Sequence, residues 1–394
     1  MSRKFAFFGP AYLSGITTFY ATLAAGLAPY GIELHRIGVN DRKPVHDAGD
    51  GTLIDRAGLT DRELSEALYR AAMDGGYEGV FFNILVEPFT ANLARYLPER
   101  MTKVLILHGI TSGAYTWARS IRDWLHHTVA ISPRMRDDLV SRWGFDPARI
   151  SHIPHGVGAP FGAAGRADAE HGPLRVLVAG RLSDADKGCF WLPDILAPLG
   201  DLKLELTVAG DGADRAELER RLAAVPCKVT FAGSICQAAL ADLYRRNDVL
   251  LFPSRTEGFA LVLLEAMASG CVPVASLIKG ITDAAVTDGR DGLLFPIGQT
   301  AAATAALRRL AGDRALLRRL SGAAAETASM RFTLDRQMAS YADLIARLDG
   351  ARPPVAPAED MARWTMAPGF TPRLRSRIPQ PLKIWLRTAA EKLR

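Results

Sequence analysis

Glu257 and Glu265 stand eight positions apart in the stretch Thr-Glu-Gly-Phe-Ala-Leu-Val-Leu-Leu-Glu-Ala-Met-Ala, residues 256–268. Residues 260–269 contain no Gly or Pro and are rich in Ala, Leu and Met, which favours helix, and Gly270 ends it. Eight helical residues rise about 12 Å and turn a little over twice, so the two carboxylates lie on nearby faces at different depths. Glu265 interrupts an apolar run, where an unpaired carboxylate is costly. A ligand rich in hydroxyls would satisfy both acids. The other reading makes Glu257 an N-terminal helix charge and Glu265 a solvated or ion-paired side chain; spacing alone leaves both open.

A second group of residues carries positive charge. Gly180-Arg181-Leu182-Ser183 follows an apolar run and leads into Asp184-Ala185-Asp186-Lys187-Gly188. A guanidinium fork and an ammonium near a strand end can neutralise a diphosphate, although ordinary surface charge explains them equally from sequence. Asp184-x-Asp186 also fits a pattern that binds a divalent ion with a nucleotide, but so short a pattern arises by chance about once in a chain this long. It is read as coincidence, so no metal is expected. His108 follows the apolar run 104–107, where an open α/β sheet places ligand contacts; a histidine tied to loop carbonyls is the alternative. The turn Gly9 to Ile16 could bring backbone amides and a helix N-terminus toward a phosphate. Its glycines lack the compact Gly-x-Gly-x-x-Gly spacing of a dinucleotide fingerprint, which disfavours a plain dehydrogenase.

The elements that must hold these groups alternate between short apolar runs and helix-forming stretches. Residues 249–252 and 272–275 read as strands buried on both faces, on either side of the Glu257–Glu265 stretch. Further strands fall at 4–8, 32–37, 79–84, 104–107, 126–131, 174–179 and 204–209, each followed by a helical or loop segment, which makes an α/β layer fold. Residues 40–60 are polar with Gly49 and Gly51 and read as loop. Gly, Pro and Ala recur between 158 and 173, the composition of a domain boundary, after which the strand pattern restarts.

The chain has 394 residues, 48% hydrophobic, enough for two cores of ordinary size. Its four cysteines lack metal-ligand spacing, and its eight histidines form no cluster. No apolar run is long enough to span a bilayer and no signal-peptide pattern opens the chain, so a cytoplasmic location is the expectation. The net charge of +6 is local: residues 351–394 hold nine Arg or Lys against Glu359, Asp360 and Glu391, so the first 350 residues sum to zero. That disfavours a nucleic-acid-binding domain and points to a tail suited to an anionic surface. Seven prolines between Pro353 and Pro381 precede a closing segment with Leu382, Leu386, Ala389 and Leu393 at helical spacing beside Trp385.

Glu257-Gly258-Phe259 followed by Leu264-Glu265-Ala266-Met267-Ala268 resembles the signature of the retaining family 4 (group 1) glycosyltransferases, whose mark is two glutamates with seven residues between them. The resemblance implies the GT-B fold, an α/β architecture of two Rossmann-like α/β/α domains facing each other across a cleft. It divides the chain into an acceptor-binding domain at 1–165, a donor-binding domain at 166–348 and a basic tail at 349–394 returning to the first domain. It implies a retaining, metal-independent transfer of a hexosyl or N-acetylhexosaminyl group from a nucleoside-diphosphate sugar, UDP-sugars preferred by family frequency. The acceptor would be a hydroxyl on a glycan, a lipid-linked intermediate or a small molecule, with no further cofactor.

By the same resemblance Arg181 and Lys187 hold the diphosphate and stabilise its leaving oxygen, and Glu265 accepts from ribose hydroxyls. Glu257 with the backbone of Gly258, Phe259, Ala260 and Leu261 orients the sugar, and His108 contacts it from across the cleft. Ser14 and Gly15 take the place of a glycine pair near the pyrophosphate, and Ser234 and Ile235 border the base. His155 replaces the family's usual asparagine and is read as an interdomain or hinge contact. Tyr115, Trp117 and residues 40–60 are candidates to line the acceptor. A peripheral contact of the tail with anionic lipid would place the chain at the inner face of the plasma membrane. The competing readings are a nucleotide-sugar hydrolase or epimerase on the same fold, and a non-catalytic nucleotide-sugar-binding protein.

Overall fold

The computed structural model describes residues 2–9, 15–40, 51–84, 88–164, 172–370 and 380–392. They form two compact units, Met1–Pro154 with Asp335–Arg373, and His155–Leu334 with Leu374–Arg394.

The first unit is built on strands β1 (Arg3–Phe8), β2 (Ile32–Asn40), β3 (Gly51–Asp55), β4 (Gly79–Ile84), β5 (Thr102–Leu107), β6 (His127–Ala130) and β7 (Ile150–His152), interleaved with helices α1 (Gly15–Leu27), α2 (Asp61–Asp74), α3 (Pro88–Asn92), α4 (Ser112–Ile121) and α5 (Pro133–Trp143). The sheet is parallel in the order β3-β2-β1-β4-β5-β6-β7. Phe5, Phe7, Phe81, Val104 and Leu105 are fully buried, as a sheet covered on both faces demands. Residues 51–55, expected as loop, are instead the edge strand: β3 pairs with β2 from Arg36–Gly51 to Asn40–Asp55. Its half-exposed, polar-interrupted sequence is what an edge position tolerates and what hides it from a hydrophobic-run search. Local chemistry fixes the helix ends. Thr60 and Glu63 form a reciprocal capping box at α2, and Ser132 caps α5 with Pro133 in its first turn.

The second unit contains β8 (Leu174–Ala179), β9 (Leu204–Ala209), β10 (Lys228–Gly233), β11 (Val249–Phe252), β12 (Val272–Leu277) and β13 (Leu293–Pro296). Its helices are α6 (Asp184–Lys187), α7 (Leu192–Leu196), α8 (Arg215–Leu222), α9 (Gln237–Arg246), α10 (Leu261–Ala268), α11 (Thr282–Ala285), α12 (Thr300–Gly312) and α13 (Arg314–Arg331). The parallel order is β10-β9-β8-β11-β12-β13, so the chain reverses direction across the sheet between β8 and β11. Crevices at such a reversal, beyond the carboxyl ends of the strands, are where open α/β sheets bind ligands. At the opposite, amino end of β8 and β11 the sheet is anchored by the fully buried Asp248 carboxylate, which accepts from the Arg175 guanidinium at 2.8 Å and its backbone amide at 2.9 Å.

Two expectations about the end of the chain need correction. Helix α14 (Leu334–Gly350), assigned by the sequence to the donor domain, packs on the first unit, because Tyr341 meets Phe19 and Phe81 and Met338 fills the space over Gly26. Residues 351–370 belong to the first unit. Glu359 pairs with Arg95 at 2.6 Å, Trp124 donates to the Pro357 carbonyl, and Phe370 packs on Trp117. The closing helix α15 (Gln380–Lys392) does not follow them; it belongs to the second unit and lies against α6. Thr388 is buried and the Lys392 ammonium reaches the Gly298 turn beside Trp191, so those side chains fix its seat.

Candidate active site

At the β8–β11 reversal, Ala179-Gly180-Arg181-Leu182 and Phe252-Pro253-Ser254 line a cavity together with Lys187 and Cys189. Glycine is required here by geometry. A Cβ on Gly210 would lie 1.9 Å from the Gly180 carbonyl oxygen, and one on Gly212 2.2 Å from that of Leu182, so the turns after β8 and β9 pack backbone on backbone. Gly180 itself, at φ +125°, has open space where a side chain would stand.

Lys187 ends the single-turn helix α6, and Gly188 at φ +60° terminates it with an amide to the Asp184 carbonyl. The ammonium donates to Glu257 Oε1 at 2.6 Å, and Ser254 Oγ donates to the same oxygen at 2.7 Å. Glu257 is 9% exposed, so this carboxylate is held by two partners in a nearly closed setting. Lys187 also lies 5.6 Å from the Phe252 ring centroid, a cation–π approach. The two acids of this turn hold it in place. Asp184 accepts from Arg255 at 2.8 Å and from the Phe190 amide at 2.9 Å, while the Asp186 backbone carbonyl accepts from the Arg255 amide at 2.8 Å. Arg255 stacks over Trp191 with 3.7 Å to the ring centroid. The Asp184-x-Asp186 pair therefore serves the local fold, and among the described residues no group of three or more His, Cys, Asp or Glu side chains is placed to hold a metal ion.

Arg181 is the exposed member of the group, its side chain 68% exposed and bridged to Asp186 at 3.1 Å. An exposed bridge of this kind is worth at most about 1 kcal/mol. Asp186→Asn is accordingly expected to tighten donor binding by up to about fivefold, read as the dissociation constant of a nucleoside diphosphate by calorimetry; unchanged or weaker binding would show that Arg181 does not meet the phosphates.

Glu265, the second glutamate of the pair, is half-buried on α10. Tyr244 donates to its Oε2 at 3.1 Å, and burial pushes its carboxyl up to about 7. Burial also raises the Tyr244 hydroxyl, which keeps it a donor. Phe259 is half-buried and meets the buried His155 edge-on at 5.4 Å, so the histidine in place of asparagine supports the loop from within its own unit. Ala260 precedes α10 and supplies no side-chain cap. Ser234 is exposed after Gly233, and Ile235 packs on the core cluster that contains Tyr244 and Leu264.

In the first unit His108 follows β5 and its Nε2 lies 2.7 Å from Asn83 Oδ1. Asn83 Nδ2 donates to the Phe8 carbonyl at 3.0 Å, so its oxygen must accept, and the proton sits on Nε2 of the histidine. The ring rests edge-on against Phe19. These contacts gather at the carboxyl ends of β1, β4 and β5, the reversal point of that sheet. Gly15 begins α1, whereas Ser14 lies outside the described residues, as does 41–50 of the expected acceptor segment. Tyr115 stacks on Trp143 and donates to Asp138, and Trp117 packs on Phe370, so both are packing side chains in this unit. Ser254, Arg255 and Tyr244 were not singled out from sequence. Ser254 and Arg255 had a signal in their position beside the Glu257 motif; Tyr244 had none, being one apolar position of an amphipathic helix.

Two family models match the chain, "Glycosyltransferase Family 4" over residues 13–159 and "Glycosyl transferases group 1" over residues 173–313. The chain belongs to the family 4, group 1 glycosyltransferases. Its similarity to individual family members is partial. It is 34% identical over 243 residues to a D-inositol 3-phosphate glycosyltransferase of Streptomyces bingchenggensis, covering 55% of this chain and 52% of that protein. It is 31% identical over 243 residues to a glycogen synthase of Mycobacterium tuberculosis, covering 57% and 56%. The chain thus spans about half the length of the curated relatives it matches. Among solved structures, HepE of Anabaena in complex with UDP and glucose aligns with a TM-score of 0.74 at 16% identity, covering 88% of this chain and 100% of that one. Sucrose-phosphate synthase of Thermosynechococcus elongatus aligns with a TM-score of 0.73 at 20% identity, covering 88% and 99%. These likenesses show the GT-B fold, of which the two Rossmann-like units are the parts.

Proposed function

We propose that the chain is a retaining glycosyltransferase that moves a hexosyl or N-acetylhexosaminyl group from a nucleoside-diphosphate sugar, with UDP-sugars favoured, to an acceptor hydroxyl. The observation that carries this reading is the Lys187–Glu257–Ser254 cluster sharing the β8–β11 reversal with Arg181. A diphosphate arriving there would meet the Lys187 ammonium, the exposed Arg181 fork and the backbone at Gly180. Negative charge grows on the leaving oxygen as the glycosidic bond breaks, so these cations bind the transition state more strongly than the ground state. Glu257, freed from Lys187 as the phosphates take over the ammonium, accepts from hydroxyls of the sugar, and Gly258, Phe259, Ala260 and Leu261, which follow it into α10, orient the sugar through their backbone. Glu265 accepts from the ribose, and Ser234 and Ile235 border the base. His108 presents its Nε2 side to Asn83, which fixes the ring for a contact with the transferred sugar. Gly15 at the start of α1 is assigned to the pyrophosphate.

Attack by the acceptor on the face the diphosphate leaves retains configuration, with the leaving phosphate taking the acceptor proton. Two structural neighbours support the donor class: HepE forms a complex with UDP-glucose, and the pneumococcal O-GlcNAc transferase GtfA with UDP and GlcNAc. The acceptor is a glycan, a lipid-linked intermediate or a small molecule such as a cyclitol; the D-inositol 3-phosphate glycosyltransferases make the last of these the first to try. A panel of UDP-, GDP- and ADP-sugars, each with and without an acceptor mixture, tests the reading through nucleoside diphosphate release and product anomeric analysis. Acceptor-dependent release with retained configuration is expected. Equal release without acceptor would make the protein a hydrolase, and tight donor binding without turnover would make it a binding protein.

A further inference from the structure

The one large unpartnered apolar surface on a described helix belongs to α15. Leu382, Trp385 and Leu386 are 46%, 65% and 46% exposed, a concentration that a surface helix does not keep for water alone. They follow the i, i+3, i+4 spacing of one helical face, which Ala389 continues. On the other side of the helix Ile384 is half-buried and Thr388 buried, and at its end Lys392 is placed at the Gly298 turn. The helix is therefore seated on its unit by one side while its apolar stripe points away from it.

Charge decides what such a stripe fits. Residues 371–394 contain Arg373, Arg375, Arg377, Lys383, Arg387, Lys392 and Arg394 against the single acid Glu391, a net +6. The other 370 residues hold 41 cations and 41 acids, from 48 less 7 and 42 less 1, and sum to zero. The whole net charge of the chain is thus gathered on the segment that carries the apolar stripe. A nucleic acid would use the cations and leave Leu382 and Leu386 in water; a second copy of this chain would bring an equally cationic helix against the first. An anionic bilayer satisfies both features, taking the aromatic and leucine side chains into the headgroup–acyl boundary and the cations at its surface. Thirteen helical residues extend about 20 Å, enough to lie along an interface and too short to cross one.

We infer that α15 is a membrane-docking helix that binds anionic phospholipid through Leu382, Trp385 and Leu386 with the basic residues around it. Its inner side lies against α6, the turn that carries Lys187, so docking would present the second unit's phosphate-binding turn close to the bilayer. The inference stands apart from the transfer reaction and does not depend on it.

The full chain is mixed with sucrose-loaded vesicles of equal parts phosphatidylglycerol and phosphatidylcholine, or of phosphatidylcholine alone, and sedimented. Partition to the anionic vesicles is expected to exceed that to neutral ones by at least about tenfold and to weaken as salt rises. The double variant Trp385→Ala/Leu386→Ala is expected to lose about tenfold or more of the binding, with an unchanged melting temperature confirming that it is folded. The milder Leu386→Ser is expected to fall between. Equal partition to both vesicle types, binding that the apolar variants leave intact, or the same loss with a tRNA probe in place of vesicles would each overturn the inference. So would sedimentation of the free protein as a dimer that the double variant dissociates.

Discussion

Lys187→Met is expected to lower kcat for sugar transfer by about two to three orders of magnitude, the cost of removing one preorganised group from a developing negative charge. Lys187 is the cation most firmly placed at the β8–β11 crevice, since its helix is stapled by Arg255 and closed by Gly188. The substitution also leaves Glu257 with only the Ser254 hydroxyl, an uncompensated carboxylate in a nearly closed setting, so a fall in melting temperature accompanies the loss of activity. The two effects separate in a double-mutant cycle. Lys187→Met/Glu257→Gln replaces the ion pair by neutral groups of similar shape, and should recover much of the stability while recovering none of the rate. Steady-state nucleoside diphosphate release and thermal unfolding on the four proteins are the measurements. A kcat for Lys187→Met within about threefold of the parent would remove Lys187 from the reaction.

Glu265 makes the second large effect one of pH. Its carboxyl is pushed up to about 7 from the ordinary 4.5 by burial, against the opposing donor bond of Tyr244. A raised carboxyl means the folded chain holds a proton that the unfolded chain has released between those values. The associated stability is full below pH 4.5 and is lost as pH rises through 7, amounting to about 3 kcal/mol. Glu265→Gln should therefore be more stable than the parent at pH 8 by up to that amount, and equal to it near pH 4.5, in urea unfolding at the two pH values. A donor whose ribose hydroxyls bond to the carboxylate works in the reverse direction. It requires the ionised form, so donor binding should weaken on acidification below pH 7 by up to about tenfold per pH unit, with close to one proton released per donor bound near pH 6. Calorimetry in two buffers of different ionisation enthalpy reads that proton directly. A parent and a Glu265→Gln variant with the same pH profile of donor affinity would show that Glu265 does not meet the donor.

The two effects rest on different parts of the site, of which the Glu257–Glu265 stretch was largely legible. The Glu257–Glu265 spacing, the helix between them and the strands on either side follow from periodicity, because a parallel strand buried on both faces must be a short apolar run and a helix between two of them must avoid Gly and Pro. Residues 51–55 were not legible as strand, since an edge position needs only one paired side and tolerates polar residues. The partners of the site were not legible either. Ser254 meets Glu257 three positions on, but Lys187 is 70 positions away from it and Tyr244 is 21 from Glu265, and only the order of strands in the sheet brings such groups to one place.

The sequence by itself determined the α/β class, the restart of the strand pattern after residue 173 and the identity of the charged groups, because these depend on local periodicity and on side-chain chemistry. Tertiary structure decided which of those groups touch. It gave Asp184 and Asp186 to the folding of a lysine-bearing turn, placed α14 with the first unit through the Tyr341 aromatic contacts, and turned the apolar stripe of α15 outward. Each of these outcomes is a competition among distant surfaces for the same buried area, and no stretch of sequence contains the terms of that competition.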